Sequence, residues 1–578
     1  MTAQDMADVF HRIALLLELK GENPFKIRAY KTGAETVEGF AGDIVALAAA
    51  NELGGIKGIG EALRDKLHEM ATTGKLEFYD KLKAEFPESI FGLFDISGLG
   101  PKKIALLYKE LKVAGVADLK RACESGEAGK LSGFGDKTVV KLLESIAFHE
   151  QHASEFRLGD VAPVVEQVLA ALRENKQVGR VEVCGSYRRG KETVHDLDFL
   201  VSSKHPQEVI DAFVELPLFV HTIAKGGTKA STRTKDGLQC DLRVVSNEEF
   251  PFALTYFTGS KEHNVALRQR CLARGWSLNE YAITTSEGAE PPPPVHDERD
   301  LYRALDMEFI EPELRENTGE LDAALHNTLP RLVELSNLRG TFHNHTTASD
   351  GNATLAQMAE AAQELGLQYL GIADHSKSSF QANGLDAARV RKQIAEIRAL
   401  NDDFDGFKLF AGNEVDILKD GSLDFDDDLL AELDYVVASV HSVMNLPEAE
   451  MTKRIIKAIE NPYVTMLGHV TGRLLLQRPS YAVNIPAIID AAAATGTIIE
   501  LNASPWRLDM DWRWWKLAKA KGVRTSINPD AHSVHGLQDL FFGIRSARKG
   551  WLERGDVVNT LPLGKIEKLL QAKRERLL

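Results

Sequence analysis

Along the chain the spacing of apolar residues changes twice, and the predicted elements change with it. Roughly the first 155 residues carry apolar positions at helical spacing. Three short glycine pairs each open a helical stretch there: Gly58-Ile59-Gly60 before EALRDKLHEM, Gly98-Leu99-Gly100 before PKKIALLYKEL, and Gly133-Phe134-Gly135 before DKTVVKLLESI. From about residue 160 a helical stretch, VAPVVEQVLAALREN, leads into the strand-like runs RVEVC, DLDFLVSS and LQCDLRVVS, which predict an α+β unit. The Pro-rich EPPPPVHDERD reads as a loop or stiff spacer, and residues 317–338 as a helical connector. Beyond Arg339-Gly340 seven apolar runs alternate mostly with helix-compatible segments: TFHNH, YLGIADH, LFAGNEV, YVVASVH, VTMLGH, TIIELN and TSINPDAH. That alternation predicts parallel strands with crossover helices, closed or nearly closed into a β/α barrel.

A length of 578 residues excludes one compact domain. No apolar run could span a bilayer, and MTAQDMADVF lacks the basic and apolar regions of a signal peptide, so a cytoplasmic protein without a membrane partner is the expectation. Cys123, Cys184, Cys240 and Cys271 are scattered without CxxC spacing, which argues against a disulfide framework or a zinc ribbon. The net charge of −15 looks unsuited to nucleic acid, but residues 401–450 alone carry 14 acidic and 2 basic side chains. Local patches decide partners, so DNA binding stays open.

The glycine pairs suit phosphate. Glycine lets the backbone turn tightly and approach a ligand, and free N–H groups at a helix start attract an anion. Three copies, 40 and 35 residues apart, with Lys102, Lys103 and Lys137 just after the glycines, form the helix-hairpin-helix pattern, which resembles binders of the DNA backbone.

In GSYRRGKETVHDLDFLV, Asp196 and Asp198 stand two apart at the start of an apolar run, so on a strand both face one way. Asp241 in CDLRVV adds a third. Converging carboxylates repel unless a cation lies between them, and Mg²⁺ is the natural choice when substrate phosphates complete its shell. Gly185-Ser186 and Arg188-Arg189 just upstream supply a turn with hydroxyl and cationic donors.

These residues, with YFTGSKEHN at 256–264, resemble the nucleotidyltransferase core of the family X DNA polymerases, relatives of DNA polymerase beta. The resemblance implies that Asp196, Asp198 and Asp241 hold two Mg²⁺ or Mn²⁺ ions, with Asp241 assisting the primer 3′-hydroxyl. It implies that Gly185, Ser186 and Arg189 hold the triphosphate of a dNTP substrate, that Tyr256, Phe257 and Gly259 line its sugar side, and that Asn264 reaches the minor-groove edge of its base. Arg268 falls at a template contact. His195 departs from the family pattern, standing where eukaryotic relatives carry a Gly beside the triphosphate. Upstream, Lys66 aligns with the Schiff-base lysine of the family's lyase domain, with Lys26 and Tyr30 near its phosphate-binding positions. On a lysine-bearing DNA-binding helix, an ordinary phosphate contact is the better reading of Lys66.

The chain has 17 histidines, and six of the seven after residue 339 lie at or just beyond the end of an apolar run. His343, His345, Asp350, His375, Glu414, His441, His469, Asp530 and His532 thereby come to one barrel rim, where the chemistry of such barrels sits. Mixed imidazole and carboxylate ligands suit Zn²⁺, Mn²⁺ or Fe²⁺, and nine ligands exceed what one ion takes, so two or three metals are expected. The constellation resembles the PHP (polymerase and histidinol phosphatase) domain, a distorted seven-stranded barrel with a trinuclear site. Arg473 and Arg507 could clamp a substrate phosphate. His535 has no assigned role, and the acidic DGSLDFDDDLLAELD reads as solvated charge.

The expected organisation is a lyase-like helix-hairpin-helix domain at 1–90, fingers at 91–155, palm at 156–248, thumb at 249–317, a linker at 318–338 and the PHP domain at 339–578. By resemblance this is a monomeric repair polymerase acting on gapped or nicked double-stranded DNA and DNA 3′ ends. Its barrel is then a metal-dependent 3′–5′ exonuclease, with 3′-phosphatase or abasic-site endonuclease activity as further expectations. Two other readings stay open: a non-catalytic DNA-end scaffold, and a small-molecule phosphatase fused to a nucleotidyltransferase.

Overall fold

The computed structural model describes all residues except 2, 39, 41, 42, 57 and 578; the side chains of residues 4, 573, 574, 576 and 577 are also outside the description. Among the described residues, eight α-helices from Ala3–Leu19 to Asp136–His152 pack around one apolar core that includes Phe10, Leu67, Leu107, Phe134 and Ile146. The three glycine pairs repeat one geometry. Gly58, Gly98 and Gly133 take φ of +94°, +88° and +84°, a region that favours glycine. The apolar residue between the glycines is buried, and its N–H donates back three residues: Ile59 to Ile56, Leu99 to Ile96 and Phe134 to Leu131. Gly60, Gly100 and Gly135 are then extended N-caps that offer no side chain to the first helical N–H groups.

The next unit is a five-stranded sheet in the order Arg180–Val183, Asp196–Ser202, Gln239–Val245, Lys229–Thr234, Phe219–Lys225. Its core joins Phe199, Val201 and Leu242 to the helix Leu158–Glu174 and the helix Pro206–Val214. The sequence pattern did not single out the last two strands in that order. Phe219–Lys225 is a sheet edge with mostly exposed side chains, so no apolar alternation marks it. The helices Phe250–Thr258, Lys261–Leu272 and Glu298–Ala304 follow, with the hairpin Trp276–Leu278/Ile283–Thr285.

Seven parallel strands form the last unit in chain order: Gly340–Asn344, Tyr369–Ile372, Lys408–Asp416, Tyr435–Ser439, Met466–Leu467, Ile498–Asn502 and Thr525–Asn528. The ring closes where Asn344 pairs with Ala531 and the His345 N–H donates to the Ala531 carbonyl at 2.8 Å. One core lies between strands and surrounding helices. A second, with Phe342, Tyr369, Phe410 and Tyr435, is covered by Ile566 and Leu570 of the C-terminal helix, leaving the ligand-bearing strand ends at the other rim.

Residues 318–338 hold one short α-helix, Glu320–Leu325, and a chain that pairs Leu332 with Glu553. Leu321, Leu325, Leu329 and Leu332 pack on the same core as Trp551 of the barrel and Leu301 and Tyr302 of the preceding unit. The segment is therefore an apolar join rather than the free helical connector that its spacing suggests. A second join stacks the Arg157 guanidinium on Trp506, 3.0 Å from the ring centroid.

Candidate active sites and nucleic-acid interface

Asp196 and Asp198 begin the second strand of the five-stranded sheet, and Asp198 pairs in register with Asp241 on the parallel neighbour. Burial, then the nearby Asp196 and Asp241 carboxylates, push the Asp198 carboxyl up to about 7. Burial and Asp241 also raise Asp196. Such repulsion is what a cation relieves, so the three carboxylates fit a divalent metal. Lys229, which sequence reasoning missed, sets its Nζ 3.1 Å from Asp241 Oδ2, and Gln239 donates to Asp241 Oδ1 at 2.9 Å. Lys229 lies on KASTRT, a run with little apolar content to mark it.

Gly185 starts a single helical turn, Gly185–Arg188, that includes Ser186. Its φ is +61°, and a Cβ there would stand 2.5 Å from Asp198 Oδ2, so this position needs glycine twice over. Arg189 is buried, its guanidinium donating to the Thr258 carbonyl at 2.6 Å and to Glu316 at 3.0 Å. Arg188 pairs instead with the buried Glu298 and Thr258 Oγ1. Gly259 has φ +70° and a Cβ position 3.1 Å from Arg189. Phe257 lines a small pocket with Asp198, Asp241, Lys229 and Arg243. Tyr256 meets Phe257 edge-on, its carbonyl accepts from Asn264 Nδ2 at 2.7 Å, and Arg268 lies 5.2 Å from its ring. His195 is exposed and within 3.2 Å of the Ser154 carbonyl.

In the helical unit, Gly98, Gly100, Lys102 and Lys103 line one open surface pocket. Lys102 and Lys137 are exposed, whereas Lys103 donates to the Gly98 carbonyl at 3.0 Å. Lys66, Lys26 and Tyr30 converge on Phe78: the lysine Nζ atoms lie 5.2 and 5.8 Å from its ring, and Tyr30 stacks on it at 6.0 Å. The Lys66 ammonium also donates to the Ala62 carbonyl.

At the barrel rim all nine expected ligands meet. Glu414 is the hub: His343 and His469 Nε2 lie 3.1 and 2.9 Å from its Oε1, His441 Nε2 3.2 Å from the same oxygen, and His375 Nδ1 2.8 Å from its Oε2. Asp530 is 3.0 Å from His345 Nε2, and Asp350 reaches His375 at 3.5 Å and His532 at 3.4 Å. Donor atoms close enough for one ion fall into three overlapping sets: His345, Asp350, His375 and His532; His343, His345 and Asp530; His375, Glu414 and His441. These short contacts lack hydrogen-bond geometry at several atoms: among the described residues the buried His343 Nε2, His345 Nδ1 and Glu414 Oε2 make no hydrogen bond. Buried polar atoms left without hydrogen bonds are costly, so these donors fit metals. Burial opposes the Glu414 charge, but His441, His343 and His375 outweigh it and hold the carboxyl well below its usual range.

Partners behind the rim orient these ligands. Glu500 accepts from His343 Nδ1 at 2.5 Å and is itself held by Asn502 and Asn528, turning His343 Nε2 toward Glu414. Asp416 does the same for His441 at 3.0 Å. Sequence reasoning passed over both: Glu500 lies inside the run TIIELN and Asp416 just past LFAGNEV, and nothing local shows that either faces a histidine on another strand. Arg507 points Nε at Asp530, 3.5 Å away, with its buried Nη1 free among the described residues. Arg473 corrects the expectation of a phosphate clamp: it is buried, bonded to Glu192 of the preceding sheet unit at 2.6 Å and to the Arg507 and Leu508 carbonyls. His535 is exposed at the start of a short 3₁₀ turn. The acidic block is partly structural, since Asp424 accepts from Ser378 and Asp434 from Arg398.

Four family models match the chain: a helix-hairpin-helix domain over residues 1–76, DNA polymerase beta palm over 159–234, DNA polymerase beta thumb over 253–316 and a PHP domain over 341–504. Asp241, Asp530 and His532 fall outside these stretches and join the two centres through the fold. A probable phosphatase of Thermoanaerobacter sp. (strain X514) is 29% identical over 247 residues, 41% of this chain and 95% of that protein. A probable phosphatase of Caldanaerobacter subterraneus subsp. tengcongensis is 29% identical over 248 residues, 41% and 92%. The DNA polymerase/3′-5′ exonuclease PolX of Bacillus subtilis (strain 168) is 38% identical over 573 residues, 99% of this chain and 100% of that protein. With helix-hairpin-helix, palm, thumb and PHP units following one another along the chain, and that identity over nearly its whole length, this chain belongs to the family X DNA polymerases that carry a PHP domain.

Proposed function

We propose that this chain fills short gaps in duplex DNA during repair and trims DNA 3′ ends in its barrel. The observation that carries the reading is the presence, in one chain, of two separate ligand sets: Asp198 in register with Asp241 beside Asp196, and nine imidazole and carboxylate groups centred on Glu414, itself one of the nine. Divalent-metal dependence follows from the polymerase and PHP units together. In the proposal Asp196, Asp198 and Asp241 hold two Mg²⁺ or Mn²⁺ ions, and the barrel ligands hold two or three Zn²⁺, Mn²⁺ or Fe²⁺ ions. When bound, such cations lower the pKa of an attacking hydroxyl or water and neutralise charge on the phosphate.

The side chains do the rest. Arg189 and Ser186 grip the triphosphate of the incoming dNTP at the turn that Gly185 makes possible. Phe257 and Tyr256 bear on the sugar, and Asn264, held to the Tyr256 carbonyl, faces the base edge. Asp241, with Lys229 and Gln239 on its two oxygens, orients the primer 3′-hydroxyl. The hairpin N-termini and the exposed Lys102 and Lys137 hold backbone phosphates on the two sides of the gap, which positions the duplex without reading its sequence. Lys66, Lys26 and Tyr30 form a candidate 5′-phosphate and lyase site around Phe78. In the barrel, Arg507 takes the scissile phosphate, and the likeness to probable phosphatases supports removal of a 3′-phosphate alongside exonuclease action. The proposal is for a monomer working in the cytoplasm; among the described residues no helix is long and apolar enough to cross a membrane.

The test is nucleotide incorporation into a one-nucleotide gapped duplex with Mg²⁺ or Mn²⁺, run beside degradation of a 3′-labelled single strand. Incorporation and shortening by the same preparation support the reading. A preparation that binds the duplex and does neither points to the scaffold.

A further inference from the structure

The barrel touches the nucleotide site of the polymerase through one helix. Leu540–Lys549 begins eight residues after the ligand His532 and runs behind the turn that carries Ser186 and Arg189. Arg545 donates to the Tyr187 carbonyl and lies over the Tyr187 ring, 4.7 Å from its centroid. One turn on, the fully buried Lys549 Nζ donates to Glu316 Oε1 at 2.6 Å and to the Arg189 carbonyl at 3.1 Å. The same Glu316 oxygen accepts from Arg189 Nε at 3.0 Å. Lys549 thus fixes Arg189 at both ends, its backbone directly and its guanidinium through Glu316. Without the ammonium, Glu316 would be a buried carboxylate facing Arg189 alone, free to draw the guanidinium into a closed ion pair and away from a phosphate.

We propose that Lys549 is a positioning residue for nucleotide addition, so that the barrel supplies part of the polymerase's triphosphate site. By sharing the Glu316 charge it leaves Arg189 loosely enough paired to turn toward a triphosphate while keeping its backbone in place. The inference rests on the polymerase reading above and adds a barrel residue to it. It also gives the fusion of the two units a physical purpose: nucleotide affinity depends on a domain that performs other chemistry.

The experiment uses the full-length protein and one-nucleotide gapped DNA, with KM for dNTP and kcat measured separately. Lys549→Met is expected to raise KM about ten-fold, the loss typical of one charge-assisted hydrogen bond, with kcat within two-fold. Its exonuclease rate should match wild type, because Lys549 touches no barrel ligand. Arg548→Met is the control: it cuts the neighbouring Arg548–Glu313 ion pair, 2.7 Å, on the same helix without touching Arg189, and should leave KM unchanged. Glu316→Gln releases Arg189 from the carboxylate altogether. Combined with Lys549→Met it should restore most of the lost affinity, a rescue that mere loosening of the interface would not produce. An unchanged KM in Lys549→Met, an equal rise in Arg548→Met, or no rescue in the double variant overturns the inference. Should Lys549→Met fail to fold, Lys549→Gln, which removes the charge but keeps a hydrogen-bonding side chain, and its pairing with Glu316→Gln carry the same comparison. Failure of wild type to incorporate any nucleotide would instead overturn the polymerase reading.

Discussion

Asp198 and Asp241 stand side by side in register on two parallel strands, and Lys229 Nζ lies 3.1 Å from the second of them. Three carboxylates and one ammonium therefore share a half-buried corner of the sheet, with one negative charge held poorly until a cation arrives.

That corner sets a pH dependence. The Asp198 carboxyl titrates at about 7 in the fold and at about 4 when unfolded. A raised folded value stabilises the fold below the unfolded value, and that contribution is lost as pH rises through 7. In chelator-treated protein, Asp198→Asn should accordingly gain Tm over wild type, and the gain should grow from pH 5 to pH 8. Thermal melts at both values check it; a gain that shrinks toward pH 8 would mean that Asp198 is not the strained carboxylate.

At the barrel, Glu500 holds His343 from behind at 2.5 Å. Glu500→Gln should keep the fold yet lower metal affinity about 10- to 100-fold, as loss of a ligand's orienting partner does. Metal content after dialysis against graded chelator measures this. Full retention would remove Glu500 from the account.

Lys102 and Lys137 stand exposed beside glycine-capped helix starts. Alanine at both should weaken binding to gapped duplexes by the same factor whatever their sequence, and lower the salt slope by about one per lysine. Affinity titrations over a salt series on two unrelated sequences decide. A sequence-dependent loss would show that the hairpins read bases.

Much of this is legible in the sequence alone. The DxD at Asp196 and Asp198 could be read because strand alternation puts both side chains on one face, and the barrel ligands because they lie in or just beyond the apolar runs that become strands. What stayed hidden depends on register and on contacts between domains. Lys229 lies on a strand without apolar alternation, and only pairing with Gln239–Val245 brings it to Asp241. Glu500 lies inside the strand Ile498–Asn502 and Asp416 ends Lys408–Asp416, and the role of each exists only through His343 and His441. Arg473 reads as a surface cation in its own segment; its partner Glu192 lies 281 residues away in another domain. No local pattern carries that information.

If two independent ligand sets each perform their own phosphoryl chemistry, a crossed pair of variants separates them. Gap filling and 3′–5′ degradation should be measured together on wild type, Asp198→Ala and His345→Ala. Asp198→Ala is expected to lose nucleotide addition and keep degradation at the wild-type rate, and His345→Ala to do the opposite. Loss of both activities in either variant, with its melting transition intact, would contradict it.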